Sequence, residues 1–283
     1  MKTRSPYVAN AFYAGTKAEL RDQIAKCFTH RLGPGKIPPV ENRGKRKIIG
    51  IISPHAGYMY SGPIAANGYS RLALDGTPDV ALIIGPNHTG YGSGVSILTD
   101  GRWETPLGSL TIDNSLAKQI QTSSEIMDVD EAAHQYEHSV EVQLPFLQFL
   151  YNHSIKFVPI CVMMQDLQTS REIATTIIDQ IKETNCVIIA SSDFTHYEPH
   201  EKAVRKDKMA IDAILNLDDS KLNELGETNK VTMCGYGPIT ALISVARRLG
   251  DVRTEFLAYG TSGDITGDTS SVVGYGSIII SRK

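Results

Sequence analysis

At 283 residues the chain fits one or two domains and buries a large core without disulfide or metal staples. Hydrophobic residues are 41%, charged residues 21% and the formal net charge is -3; with no Lys/Arg run interleaved with aromatics, this excludes a nucleic-acid partner. No apolar stretch is long enough for a bilayer, the N-terminal Met-Lys-Thr-Arg-Ser-Pro lacks the apolar core of a secretory signal, and Cys27, Cys161, Cys186 and Cys234 are scattered without a C-x-x-C pair, so a cytoplasmic setting is expected.

In chain order, Thr16-x-x-Glu19 reads as a capping box, followed by Leu20, Ile24 and Cys27 on one helical face. Pro and Gly make 33–39 a loop, and the basic patch 43–47 reads as a solvated loop before a strand. Apolar runs rich in Ile and Val predict buried strands at 47–53, 80–85, 155–162, 186–191 and 274–281, with shorter candidates at 95–99 and 255–259. Helices are expected at 61–71, 114–122, 170–182, 201–217 and 239–249. Alternating strands and helices imply one α/β domain over 1–283. Its central sheet is mostly parallel and flanked by helices, with ligands bound outside the carboxyl ends of strands.

The histidines fall where strands stop. The run 48–52 ends in Ser53-Pro54-His55-Ala56-Gly57-Tyr58. The run 80–84 ends in Gly85-Pro86-Asn87-His88-Thr89-Gly90. The run 187–190 ends in Ser191-Ser192-Asp193-Phe194-Thr195-His196-Tyr197. Parallel strands bring all three histidines out at one edge, where they can converge. A fourth cluster, 130–141, carries His134, Glu137, His138 and Glu141. If it is helical, His134 and His138 share a face; alternatively the helix starts near Pro145, a residue suited to a first turn. Cys234 lies in a Gly-rich turn before an apolar helix, where the helix dipole favours a thiolate. Imidazole and thiolate together suit zinc, iron or copper, and nearby His and carboxylate groups suit acid/base work. Whether Cys234 or a carboxylate such as Asp193 is the third ligand stays open from these residues. Asp193 also reads as a helix cap near Thr195. His30, His153 and His200 are assigned no role, and the Gly-rich stretch 260–271 reads as a turn-rich loop.

These segments resemble the Memo family, known in prokaryotes as protein B of the AmmeMemoRadiSam gene neighbourhood. They are joined by Trp103-Glu-Thr-Pro-Leu-Gly108, Ala133-His-x-x-Glu-His-Ser-x-Glu-x-Gln-Leu-Pro-Phe-Leu147 and Cys234-Gly-Tyr-Gly-Pro238. The resemblance runs in order over essentially the whole chain. It implies an architecture similar to the class III extradiol dioxygenases, which hold non-haem iron(II) with two His and a Glu. It also implies a pocket whose metal ligands are His55, His88 and Cys234, with Asp193, His196, His138 and His134 as catalytic or supporting groups. Iron(II) is the implied cofactor, with copper or zinc as alternatives. A Cys where the dioxygenases have a carboxylate is softer and oxidisable, so ring cleavage does not follow from the fold. Asn10 and Ala14 stand where the family tends to have Gly and Pro. Two functions are expected from this: a metal-dependent redox enzyme on a small organic substrate, or a module binding a peptide, as implied for animal members in signalling. A link to a radical-SAM partner, in modification chemistry, is a third implication.

Overall fold

The computed structural model describes residues 2–41, 46–152, 154–182 and 184–283. Positions 43–45 of the basic patch and His153 lie outside the described residues.

The strands are β1 Thr3–Arg4, β2 Ile48–Ser53, β3 Val80–Pro86, β4 Val95–Ile97, β5 Arg102–Thr105, β6 Gly108–Thr111, β7 Asp128–Val129, β8 Lys156–Val162, β9 Cys186–Ser191, β10 His196–Glu198, β11 Val252–Thr261 and β12 Val272–Arg282. The helices are α1 Lys17–Thr29, α2 Gly62–Leu74, α3 Asn114–Thr122, α4 Ala132–Gln135, α5 Leu144–Tyr151, α6 Leu167–Ile181, α7 His200–Leu215, α8 Asp219–Glu227, α9 Tyr236–Leu249 and α10 Gly263–Thr266. Every strand and helix expected from the apolar patterning is present. Strands β1, β7 and β10, the hairpin β5–β6 and helices α8 and α10 are additional, α10 being a single turn inside the stretch 260–271 expected as a loop.

The main sheet runs β10-β12-β2-β9-β3-β8-β4-β7, with β11 also paired to β12, and β1-β5-β6 form a separate small sheet. Its centre, β2-β9-β3-β8, is parallel, while β12, β11, β10 and the β4–β8 pair are antiparallel. The parallel centre explains the unbroken Ile/Val runs: β2, β3 and β9 lie under cover on both faces. Gly50 faces Leu242 of α9, and its neighbour Ile51 faces Gly68 of α2. Successive strand residues point to opposite faces, so the two helices cover opposite sides of the sheet.

The register aligns the carboxyl ends. Ser53 pairs with Ser191, Ile84 with Ala190 and Pro86 with Val162. His55, His88 and Asp193 each stand two residues beyond such an end.

The segment 130–145 takes the second of its two expected forms. Helix α4 stops at Gln135, a single 3-10 turn follows at Glu141–Gln143, and α5 places Pro145 in its first turn. His134 and His138 therefore do not share a helix face. The α1 start is capped as expected, the Thr16 hydroxyl oxygen accepting from the Glu19 N–H at 3.4 Å. Residues 193–195 form no helix, so Asp193 is not a helix cap. Among the described residues, no helix is long and apolar enough to cross a membrane.

Candidate metal centre

His55, His88 and His138 come from three separate segments, yet one ring nitrogen of each lies within 4.8 Å of the others. The rings of His88 and His138 stack at 4.5 Å between centroids, and His55 stands edge-on to both at 5.2 and 5.4 Å. His138 reaches this cluster because Ser139 docks on Gly85 at the end of β3 and donates to the Pro86 carbonyl at 2.8 Å.

Glu137 anchors the cluster. Its buried carboxylate accepts from the His88 Nδ1–H at 2.9 Å and from the backbone N–H groups of His88, His138 and Ser139. Burial is the largest single influence and opposes its charge, but the His88 hydrogen bonds and the charges of His88 and His138 together outweigh it and hold the carboxyl down to about 2. A carboxylate has no proton to give here, so the His88 Nδ1 carries a hydrogen toward Glu137. Burial opposes charge on His88, but its contacts with Cys234 and Glu137 together raise it to about 10, so a metal ion at this ring would displace its second proton. Glu137 lay inside the dense acidic segment of the sequence, but its role depends on contact across 49 residues. Burial lowers His55 well below the usual imidazole range and pulls His138 to about 4. Both rings are therefore neutral at physiological pH, the form that donates a lone pair.

Cys234 sits against this group, its Sγ 3.2 Å from the His55 Nε2 and accepting from the Asp193 N–H at 3.3 Å. It precedes α9 as expected, but burial raises the thiol, so the expected dipole-stabilised thiolate is outweighed by loss of water. The Asp193 carboxylate accepts from the His55 N–H at 2.9 Å, and burial raises it too. His196 donates its Nδ1–H to the Thr232 carbonyl at 2.8 Å. Phe12, Tyr60, His196, Tyr197 and Tyr275 wall a cavity of about 710 Å³ around His55, His88 and His138.

His134 lies elsewhere. It is buried against Trp103 at the wall of a separate cleft beside Arg4, and burial lowers it to about 3. The structure thus brings His55, His88, His138, Cys234, Asp193 and His196 together and leaves His134 out. The physical reason is the end of α4 at Gln135, which turns the chain between the two histidines.

The fold and site define an α/β protein with a histidine-lined pocket at the carboxyl edge of a parallel sheet. A profile of the family described as Memo-like protein matches residues 4–279. The chain belongs to the Memo family. A MEMO1 family protein of Methanopyrus kandleri is 50% identical over 281 residues, 99% of each chain. One of Sulfurisphaera tokodaii is 49% identical over 279 residues, 97% of this chain and 98% of that one. Among solved structures, an uncharacterized protein of Escherichia coli K12 matches with a TM-score of 0.55, covering 82% of this chain and 99% of that one. At 13% identity that likeness is one of fold alone.

Proposed function

We propose that His55, His88 and His138 hold a transition-metal ion, with Cys234 as a further donor, and that the protein is a redox enzyme acting on a small organic substrate. The observation that carries this reading is the convergence of three imidazole nitrogens within 4.8 Å from three chain segments. The donors fit such an ion. Two rings are held neutral by burial, and the third is oriented by a carboxylate, the usual arrangement behind a ligating histidine. Imidazole with a thiol suits iron, copper or zinc, and iron(II) is our first assignment for redox work.

When bound, the ion supplies Lewis-acid and one-electron redox chemistry. The chain's own residues do the rest. His196 is fixed through Nδ1, which leaves Nε2 free to take a proton from a substrate in the cavity. Asp193 fixes the His55 backbone and keeps its burial-raised carboxyl at the cavity wall. The aromatic walls offer apolar surface to a small organic molecule in this space.

The test is metal content by mass spectrometry on anaerobically purified protein. Near-stoichiometric iron or copper is expected in the wild type and in His134→Ala, with loss in His55→Ala, His138→Ala and Cys234→Ala. An empty wild type, prepared with and without air and never exposed to chelator, overturns the metal reading. Retention in Cys234→Ala alone removes the thiol from the donor set.

A second reading is recognition of a peptide or protein partner by exposed apolar side chains on the loops that follow the strands. Met59, Tyr91, Met164 and Tyr197 are 61%, 62%, 56% and 79% exposed, the four most exposed large apolar side chains among the described residues. All four follow the carboxyl ends of β2, β3, β8 and β9. Of these, Tyr197 lines the cavity itself. A partner that competes for the cleft and still binds His55→Ala favours this reading over the enzyme.

A further inference from the structure

His55 differs from His88 and His196 in what its Nδ1 meets. Those two rings face a carboxylate and a backbone carbonyl, which only accept, so a proton on each Nδ1 follows at once. The His55 Nδ1 faces the Ser191 hydroxyl at 2.8 Å, a group that both donates and accepts. The pair alone leaves the ring's proton undecided. The surroundings decide it.

The Ser191 hydroxyl has one proton, and the Ser139 carbonyl stands 2.7 Å from its oxygen. A carbonyl cannot donate, so this contact uses the proton. The Gln143 Nε2 lies 2.8 Å from the same oxygen and 3.0 Å from the Pro54 carbonyl. The Pro54 carbonyl requires the NH2 end of the amide at that position. Tyr69 confirms the orientation by donating its hydroxyl to the Gln143 Oε1 at 2.8 Å. Gln143 therefore donates to Ser191. One lone pair of the Ser191 oxygen remains, and it can only accept. Tyr69, Gln143, Ser139 and Ser191 are all buried, so no water competes for these bonds.

We propose that the relay Tyr69–Gln143–Ser191–Ser139 fixes His55 in the Nδ1–H tautomer and so presents an unprotonated Nε2 to Cys234 and the pocket. Ser191 and Gln143 are positioning residues: they touch neither the cavity nor any substrate in it. The opposite tautomer has two costs. If Ser191 turned its proton to His55, the Ser139 carbonyl would lose its bond to that hydroxyl, and an Nε2–H would point at the site. Leaving that buried acceptor without its partner disfavours the opposite tautomer by about 5–150-fold. That is enough to hold one tautomer in large excess.

The test has two arms. In the first, protein labelled with 15N-histidine is read by 15N–1H NMR, with His55 assigned by its absence in His55→Gln. The wild type is expected to show His55 protonated at Nδ1 and bare at Nε2. An Nε2–H signal from wild-type His55 overturns the proposal, whatever the variants do. In the second arm, Ser191→Ala is compared with Ser277→Ala, which also removes a buried hydroxyl but one with no hydrogen-bond partner among the described residues. Ser191→Ala is expected to lose the single Nδ1–H signature and to bind Co(II) about 10–100-fold more weakly, the usual effect of losing the group behind a ligating histidine. Ser277→Ala is expected to keep both. Ser191→Ala with an unchanged tautomer and unchanged Co(II) affinity overturns the proposal. This second arm rests on the metal reading above, and the first does not. A wild type that ignores Co(II) defeats the metal reading, while the NMR spectra still decide the tautomer. They also decide it if Ser191→Ala fails to fold.

Discussion

A Cβ added to Gly85 would meet the Ser139 Oγ at 2.3 Å and the Ser139 Cβ at 2.9 Å. No real Cβ sits so close, so Gly85→Ala has to push the 137–140 turn away from the end of β3. That turn carries both His138 and the carboxylate behind His88. Overpacking of this kind costs about 1–3 kcal/mol. Gly85→Ala is therefore expected to lower the urea midpoint and to weaken Co(II) binding together. Gly85→Ala with Ser139→Ala, which removes the nearest atom, is expected to recover part of both. Wild-type stability and affinity in the single variant would show that the turn is held by other contacts. At this scale the sequence was informative about residues that follow a strand. His55, His88 and Asp193 each lie two positions past a strand end, and that offset places them at one edge. It was silent about the groups behind them. Glu137, Gln143 and Ser191 act through side-chain bonds that span 48 to 136 positions, and no local pattern encodes those bonds.

Helix α8 shows what apolar periodicity leaves out. Its 219–227 stretch offers Leu222 and Leu225 as apolar anchors and contains Gly226, too weak a stripe to stand out from a loop. The strongly patterned α6 and α9 were visible, and the β5–β6 hairpin was not, because its four-residue strands bury only Trp103, Thr105 and Leu110. What holds α8 is a charge. Asp219 in its first turn accepts from the Arg171 Nε of α6 at 2.9 Å and from the Ser244 Oγ of α9 at 2.9 Å, and pairs with Arg247 of α9. Burial opposes the Asp219 charge, but the Arg171 and Ser244 hydrogen bonds, together with the charges of Arg171 and Arg247, outweigh it and hold the carboxyl down to about 2. Both arginines are about half exposed, so water screens part of the attraction. Asp219→Asn is expected to cost about 2 kcal/mol at pH 7, below the range for fully buried pairs. A carboxyl depressed on folding stabilises fully above its unfolded value near 4, and that contribution is lost as pH falls toward about 2. Urea unfolding of the two proteins at pH 7 and at pH 3 checks the sign: the gap between them must shrink in acid. A gap that holds or widens at pH 3 would mean that lost packing, not charge, is what the substitution removes.

Across the whole molecule, the N-terminal segment closes the pocket although it belongs to no strand of the main sheet. Glu141, fully buried, is the point where it is fastened. Its carboxylate accepts from the Arg4 Nη1 at 2.6 Å, the Tyr7 N–H at 2.9 Å, the Val8 N–H at 3.0 Å and the Tyr13 hydroxyl at 2.6 Å. Arg4 spends its other nitrogens on the His134 and Glu137 carbonyls and lies over the Trp103 ring at 4.1 Å. Residues 4–13 are thereby bound to the 134–141 segment, and Phe12 is held against His138 at 4.8 Å between ring centroids, on the cavity wall. Glu141→Gln keeps the shape but removes the charge opposite a guanidinium that is itself only 10% exposed. It also replaces an acceptor oxygen with an NH2 that faces donors. Breaking one side of a buried pair in this way costs about 3–5 kcal/mol. The loss should be concentrated in the N-terminal segment, because the central sheet makes none of these contacts. Limited proteolysis is therefore expected to cut Glu141→Gln first between Arg4 and Tyr13, with the sheet protected. Hydrogen exchange should speed up at the Tyr7 and Val8 amides before it does at β2 or β9. Uniformly faster exchange across the sheet would instead make Glu141 part of the global core, and the segment would not be a separable closure over the site.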